Sequence, residues 1–466
     1  MQTIKLKRGL DIPFEGPAAE TLGSVRRPEV YHIVPDHFAG ITPKLDVKVG
    51  DKVKAGSVLF HDKTFEEMQF SSPVSGVVKE IVRGERRKIL SIDIEADAAL
   101  VYERFEIGDL TLENVKALLL KSGLWALMKQ RPYDCIAMPT KTPRAIFISS
   151  FDSAPVAPNY ELVLKGQLPT LQAGVSALAK LAPVFIGIQA GARATEFREL
   201  KDCTLYEVAG PHPAGNVGVQ LNNLAPLAKG ETVFTVNIQD LAIIGRLFQK
   251  GIVDYQKKVA LTGPLAYGKQ YYNVLPGMAY DAILRSNVHD EVACRFIAGN
   301  VLSGRQIKPT LALPEGKENI ADAIISPYDN QITVLEDGAE RHEFMGWLLP
   351  RFNAFNAGCT DPASLLDNCF TRWLFGPKKY QWDARLKGGR RAIIVSNEYD
   401  RVFPMDIYPE YLIKAMIAGN IDRMEALGAY EVAPEDFALC EFVCTSKMPL
   451  QAIVREALDN LKKEIE

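Results

Sequence analysis

The sequence predicts a multidomain α/β fold, and three features of its pattern carry that expectation. Up to about residue 100, short segments of alternating polar and apolar residues are cut by Gly- and Pro-rich turns, which is how hairpin strands read. Past that point strand-like and helix-like stretches alternate, the order of an α/β layer with at least partly parallel strands. Near the end, Cys440 and Cys444 stand one helical turn apart in an otherwise dispersed cysteine set. A chain of 466 residues suffices for about three domains of ordinary size.

Met1 to Leu10 alternates polar and apolar residues and reads as a strand. VGDKVKAG (Val49 to Gly56), VLFHD and MQFSSPVSGVVKEI follow, with Gly50-Asp51, Ala55-Gly56 and Pro73 to Gly76 as turns between hairpin strands. The basic run from Arg83 to Lys88 reads as a solvated hairpin tip. Leu112, Val115, Leu118 and Leu119 keep helical spacing, with Thr111 placed to cap the helix and Gly123 to end it. RAIFISSF (Arg144 to Phe151) reads as a buried strand. Leu171 to Leu181 forms a helix stripe, and Val184 to Ile188, Leu205 to Val208 and Thr232 to Ile238 are further strands. A helix then begins near Asp240. From Lys257 to Gln306 the pattern is strand, turn, strand, helix and strand, a small separate unit.

Composition excludes several function classes. A net charge of −3, pI about 6.2 and scattered Lys and Arg leave no footprint for nucleic acid. Seven dispersed cysteines suggest reduced thiols and a cytoplasmic setting. The N-terminus lacks the apolar run of a signal peptide. The longest apolar stretch, Leu181 to Ile188, falls far short of the roughly 20 residues that cross a bilayer, so membrane contact is expected only through partners. The six histidines, His32, His37, His61, His212, His289 and His342, show no metal-ligand spacing.

The first hundred residues resemble the lipoyl and biotinyl carriers, whose tight hairpin presents a lysine. Here Phe65 occupies that lysine's place, and Lys63 lies two residues away. The C-terminal cysteines fit the frame of a bacterial ferredoxin, C-x2-C-x2-C-x3-C-P. Counting back from Cys444, the earlier slots are Cys440, Phe437 and Pro434. The frame recurs upstream with Ile393, Ser396, Tyr399 and Phe403 in its four slots. Two thiolates cannot hold such a cluster, and helical core packing is the commoner fate of such a pair.

SGLWALMKQRP (Ser122 to Pro132), GPHPAG (Gly210 to Gly215), Gly346-Trp347, NEYDRVFPMDIYP (Asn397 to Pro409) and the Cys440 to Cys444 remnant occur in a telling order. Together they resemble the A-subunit family of the sodium-translocating NADH:quinone oxidoreductases (Na+-NQR) over essentially the whole chain. More distantly similar are the flavin-bearing member of respiratory complex I and the C-subunit of the Rnf electron-transport complex. The resemblance implies a lipoyl-like barrel-sandwich hybrid without attachment lysine over 1–100 and a Rossmann-like domain over 101–255. It further implies a β-grasp-like unit over 256–330 and a degenerate ferredoxin-like helical end within 331–466. It also implies a peripheral subunit on the cytoplasmic face of the bacterial inner membrane, bound to the other five subunits. Those partners would carry the flavins and iron–sulfur centres that take electrons from NADH to ubiquinone while Na+ is exported.

The redox sites of the relatives are expected to be closed here. The flavin-bearing relative cradles phosphate on a glycine-rich loop, because only glycine lets backbone amides approach closely. The corresponding stretch, Trp125 to Pro132, has no glycine. Trp125 is expected to pack in the core and Arg131 to serve structure, while Asp152 stands near an acidic position of the flavin relatives. GPHPAG has the glycine spacing of a phosphate loop, but Asn216 and Val217 replace its Lys and Ser or Thr, and Pro211 and Pro213 remove amide donors. It is a rigid turn, with His212 fixing its geometry. No catalytic, cofactor-binding or metal residue is expected in this chain. The loop YHIVPDHF offers Tyr31, His32, His37 and Phe38 as candidates to stack on a quinone ring and bond its carbonyls. The rival readings are an FMN-dependent NADH-oxidising flavoprotein and a lipoyl or biotin carrier acting through Lys63.

Overall fold

A computed structural model of the chain describes residues 1–192, 195–288, 292–309, 317–339 and 379–465. His289, His342 and Gly346-Trp347 lie outside the described residues.

The early hairpin segments build two small sheets face to face. One has the strand order Val30–Ile33, Ile89–Ala96, Gly76–Arg83, Lys52–Val53; the other Pro43–Leu45, Val58–Asp62, Gln69–Ser71. Their pairings are antiparallel. Within the second sheet the paired Phe60 and Phe70 rings stack with centroids 4.7 Å apart. The basic run forms the tip joining Gly76–Arg83 to Ile89–Ala96, as its composition predicts. YHIVPDHF differs from the predicted loop. Tyr31 and Ile33 alternate inward in the Val30–Ile33 strand, and Pro35 then starts a 3-10 turn over Pro35–His37, since its ring presets φ and its missing N–H is not needed there.

A seven-stranded sheet follows, in the order Gln2–Lys5, Thr204–Ala209, Val184–Gln189, Ile146–Ser149, Val233–Asn237, Met128–Arg131, Cys135–Ile136. The first five strands are mutually parallel and the last two pairings antiparallel. The strand expected from Met1 to Leu10 is thus present, but it pairs with the seven-stranded sheet, because inward Ile4 packs with Tyr206 and Val208. The helix Leu112–Ser122 has the predicted ends: Thr111 Oγ1 accepts from the Asn114 amide, and Gly123 turns left-handed at φ 81°. Helices Leu168–Leu178 and Ile238–Lys250 pack together through Gly174 and Gly245, where the backbones come so close that a Cβ on Gly245 would lie 1.9 Å from the Thr170 carbonyl oxygen.

A third sheet has the order Arg305–Ile307, Cys294–Ala298, Gln331–Glu336, Lys257–Thr262, Tyr271–Val274, Leu22–Gly23. Its inner strand Gln331–Glu336 lies beyond the segment that periodicity assigns to this unit, and Leu22–Gly23 reaches it from the N-terminal region. The C-terminal helices Pro409–Ile417, Ile421–Ala426, Ala438–Val443 and Leu450–Ile465 share an apolar core with the seven-stranded sheet, a cluster that includes Phe147, Val208, Leu412 and Leu458. Among the described residues no helix is long and apolar enough to cross a membrane.

Candidate functional site

The segment from Pro327 to Gln331 borders two cavities, one at Pro327 and the other along Tyr328 to Gln331. The smaller is a notch of about 30 Å3 at the edge of the N-terminal barrel, bordered by His32, His37, Phe38, Ser71, Tyr255 and Pro327. It brings together three of the four candidates from YHIVPDHF. Tyr31 is not among them: strand alternation turns it into the barrel interior, where it is 1% exposed and burial raises its hydroxyl pKa. His32 holds the Asp93 carboxylate through Nδ1 at 2.8 Å. His37 Nε2 lies 3.0 Å from the Ala321 carbonyl, which can only accept, so this nitrogen carries the hydrogen. Burial pushes the His37 pKa below the ordinary imidazole range, outweighing the Ala321 bond, and Arg305 pushes the same way. Phe38 sits edge-on against Phe70 at 4.6 Å and Tyr328 at 6.1 Å. Ser71, Tyr255 and Pro327 come from distant segments, and no local pattern in the sequence marks them.

The larger cavity, about 330 Å3, is bordered by Ser149, Asp152, Tyr160, Asn237, Asp240 and Glu435 among others. Its place follows from topology. From Ile146–Ser149 the chain builds outward through Val184–Gln189 and Thr204–Ala209, then returns to the other side with Val233–Asn237, leaving a crevice at the carboxyl ends of the two strands. Asn237 Nδ2 donates to the Tyr160 hydroxyl at 3.3 Å, and burial pushes the Asp152 and Asp240 carboxyls up. Arg131 is held through both terminal nitrogens: Nη1 meets Asp436 at 2.7 Å, and Nη2 meets Glu435 at 3.1 Å. Trp125, 2% exposed, donates Nε1–H to the Ala137 carbonyl at 2.6 Å. Both residues thus take the structural parts expected of them. His212 does likewise: its Nδ1 lies 3.0 Å from Ser153 Oγ, which also accepts from the Gly215 amide, and burial brings its pKa down to about 4.

In the C-terminal helices the Tyr399 hydroxyl and Cys444 Sγ are 2.9 Å apart, and the Phe403 and Phe437 rings pack at 4.9 Å. Burial raises the Cys440 thiol pKa. Lys63 is exposed between Val58–Asp62 and Gln69–Ser71, whereas Phe65 packs partly against the barrel core. Among the described residues no group of three or more His, Cys, Asp or Glu is placed to hold a metal ion.

Residues 4–97 match the family model of the NqrA N-terminal barrel-sandwich hybrid domain, and residues 110–253 that of the NqrA second alpha/beta domain. Over 466 aligned residues the chain is 32% identical to the A subunit of the Na(+)-translocating NADH-quinone reductase of Pseudomonas aeruginosa, covering 99% of this chain and 100% of the relative. Subunits of the same name from Hahella chejuensis and Serratia proteamaculans are 32% identical with the same coverage. With identity of this order along its full length, the chain belongs to the A-subunit family of the Na(+)-translocating NADH-quinone reductases.

Proposed function

We propose that this chain is a peripheral subunit of a sodium-translocating NADH:quinone reductase. It holds no redox group of its own, docks on membrane subunits at the cytoplasmic face of the bacterial inner membrane, and offers the ubiquinone headgroup a docking mouth at His32, His37 and Phe38, with Tyr31 bracing their strand from within. The observation that carries the assignment is full-length identity to the A subunit. In the other five subunits would lie the flavins and iron–sulfur centres that pass electrons from NADH.

Contacts among the C-terminal side chains support a chain without resident cofactors. In two-cluster ferredoxins the last cysteine of each run serves the other run's cluster. Here the last slot of the second run, Cys444, meets Tyr399 of the first, and the last slot of the first, Phe403, packs on Phe437 of the second. This cross-pairing supports a degenerate ferredoxin module whose cluster places are taken by side chains. Parallel strands with a crevice at their switch point support a Rossmann-like second domain, and the mixed sheet beside the short helix Asp281–Leu284 supports a β-grasp-like third. We keep the division at 100, 255 and 330 as part of this reading, with the strands Gln2–Lys5, Leu22–Gly23 and Gln331–Glu336 pairing across it. An FMN-dependent NADH oxidase would need phosphate held at that crevice. Asp152, Asp240 and Glu435 border it, and Arg131, the lining cation best suited to phosphate, already has two carboxylate partners.

The quinone part is tested by crosslinking a photoreactive quinone analogue to the assembled complex and mapping the labelled peptides. Label between residues 30 and 40 is expected. Label confined to other subunits contradicts the mouth and leaves the family assignment standing.

A further inference from the structure

This inference rests on the reading of the barrel-edge notch as a quinone mouth and concerns which redox form of the ligand the notch holds. The side-chain protons around it are engaged inside the protein. His32 directs Nδ1–H to Asp93 at 2.8 Å, and His37 directs Nε2–H to the Ala321 carbonyl at 3.0 Å. Ser71 Oγ donates to the Ser122 carbonyl at 2.7 Å, so in its 2.9 Å contact with Tyr255 the phenol is the donor. Burial pushes that phenol up to about 12, so it keeps its proton at neutral pH. Pro73, Pro276 and Pro327 border the notch and have no N–H. The amides of His37, Phe38 and Gly277 close onto the carbonyls of Val34, Pro35 and Ile325.

What the side chains leave for a ligand is lone pairs. The hydrogen bonds of these two rings to the described residues run through His32 Nδ1 and His37 Nε2, leaving His32 Nε2 and His37 Nδ1 to the notch. In a neutral imidazole the nitrogen opposite the engaged N–H is an acceptor. A quinone carbonyl would bring its own lone pairs against these acceptors, whereas a hydroquinone hydroxyl would donate to one of them. The volume agrees, since about 30 Å3 admits one hydroxyl in place of one water, with the ring outside against Phe38. We infer that the notch selects the reduced, hydroxyl-bearing form of its aromatic ligand, the hydroquinone, over the matching quinone. The mouth is then a holding place for product ahead of release.

The test uses the full-length chain under anaerobic conditions and three ring-matched probes with a truncated tail: the ubiquinol, the ubiquinone and the ubiquinol dimethyl ether, which keeps the ring but has no donor. Calorimetry is expected to give the ubiquinol about 10-fold or greater tighter binding than either of the others, the share of one hydrogen bond. His37→Gln, whose amide both donates and accepts, should bring the ratio toward one; His32→Gln is an independent second variant should the first misfold. Lowering the pH adds a proton to His37, which faces Asp36, Arg305 and Asp329, while His32 faces Asp93. The ubiquinol preference should shrink accordingly. Quinone or ether binding as tightly as the ubiquinol, with photolabel still at residues 30 to 40, overturns this inference and leaves the docking mouth standing. Absence of binding by all three, with label elsewhere, overturns both.

Discussion

Asp436→Asn removes the charge that holds Arg131 and isolates a buried guanidinium. The two side chains are 1% and 0% exposed, with Nη1 and Oδ2 2.7 Å apart, and the same carboxylate oxygen accepts from the Ala433 amide at 2.8 Å. Breaking one partner of such a pair leaves a desolvated charge uncompensated, at a cost of about 3–5 kcal/mol. Glu435 also touches Arg131, but its side chain is 43% exposed, so its compensation is screened. The double variant Arg131→Met, Asp436→Leu removes both charges and should recover most of the loss, because apolar replacement of a buried pair is often neutral. Urea unfolding read by tryptophan fluorescence suits the question: Trp125 reports on the seven-stranded sheet, and Trp382, stacked on Phe442 at 5.1 Å, reports on the C-terminal helices. A cost below about 1 kcal/mol for the single variant, or a double variant no more stable than the single, would refute the view that this pair clamps the helices to the sheet.

Three further outcomes are expected. His212, held neutral with its pKa at about 4 against an ordinary 6.5, should cost the fold up to ~3 kcal/mol as pH falls through that window, since the unfolded chain takes up a proton that the folded chain refuses. Urea midpoints at pH 7 and pH 4.5 should therefore separate more for the parent than for His212→Gln, and equal separations would count against a buried neutral imidazole. Gly245→Ala should lower stability by about 1–3 kcal/mol although alanine favours helix, because its Cβ would fall 1.9 Å from the Thr170 carbonyl oxygen; an unchanged or higher midpoint would contradict the close crossing. Lys63→Ala should move the midpoint by less than about 0.5 kcal/mol, and intact mass from a cell competent in lipoylation and biotinylation should equal the sequence mass, an added lipoyl or biotinyl group being the contrary result.

Local chemistry that acts within a few residues was legible from the sequence. Thr111 and Gly123 delimit their helix because a hydroxyl cap and a left-handed glycine need only the adjacent turn. The strands at Ile146–Ser149 and Val184–Gln189 are visible because a buried parallel strand is continuously apolar. The partners of short edge segments were not visible. Gln2–Lys5 and Leu22–Gly23 are too short for periodicity to name the sheet that recruits them, and a strand that opens a chain can pair hundreds of residues away, as Gln2 does with Tyr206. The notch was half legible. His32, His37 and Phe38 share one segment, whereas Ser71, Tyr255 and Pro327 meet them only through folding. Tyr31 was misleading because the period of two within YHIV, which turns it inward, becomes decisive only once that segment is a strand.

The account depends most on the claim that an electron-transfer scaffold has had its prosthetic-group places taken by side chains. Its most direct test is the flavin and iron content of the full-length chain, purified under anaerobic conditions after expression with flavin, iron and sulfide in ample supply. The account predicts a colourless protein with far less than one flavin or iron atom per chain. A stoichiometric flavin, or an iron–sulfur chromophore lost on replacing Cys440 and Cys444, would contradict it.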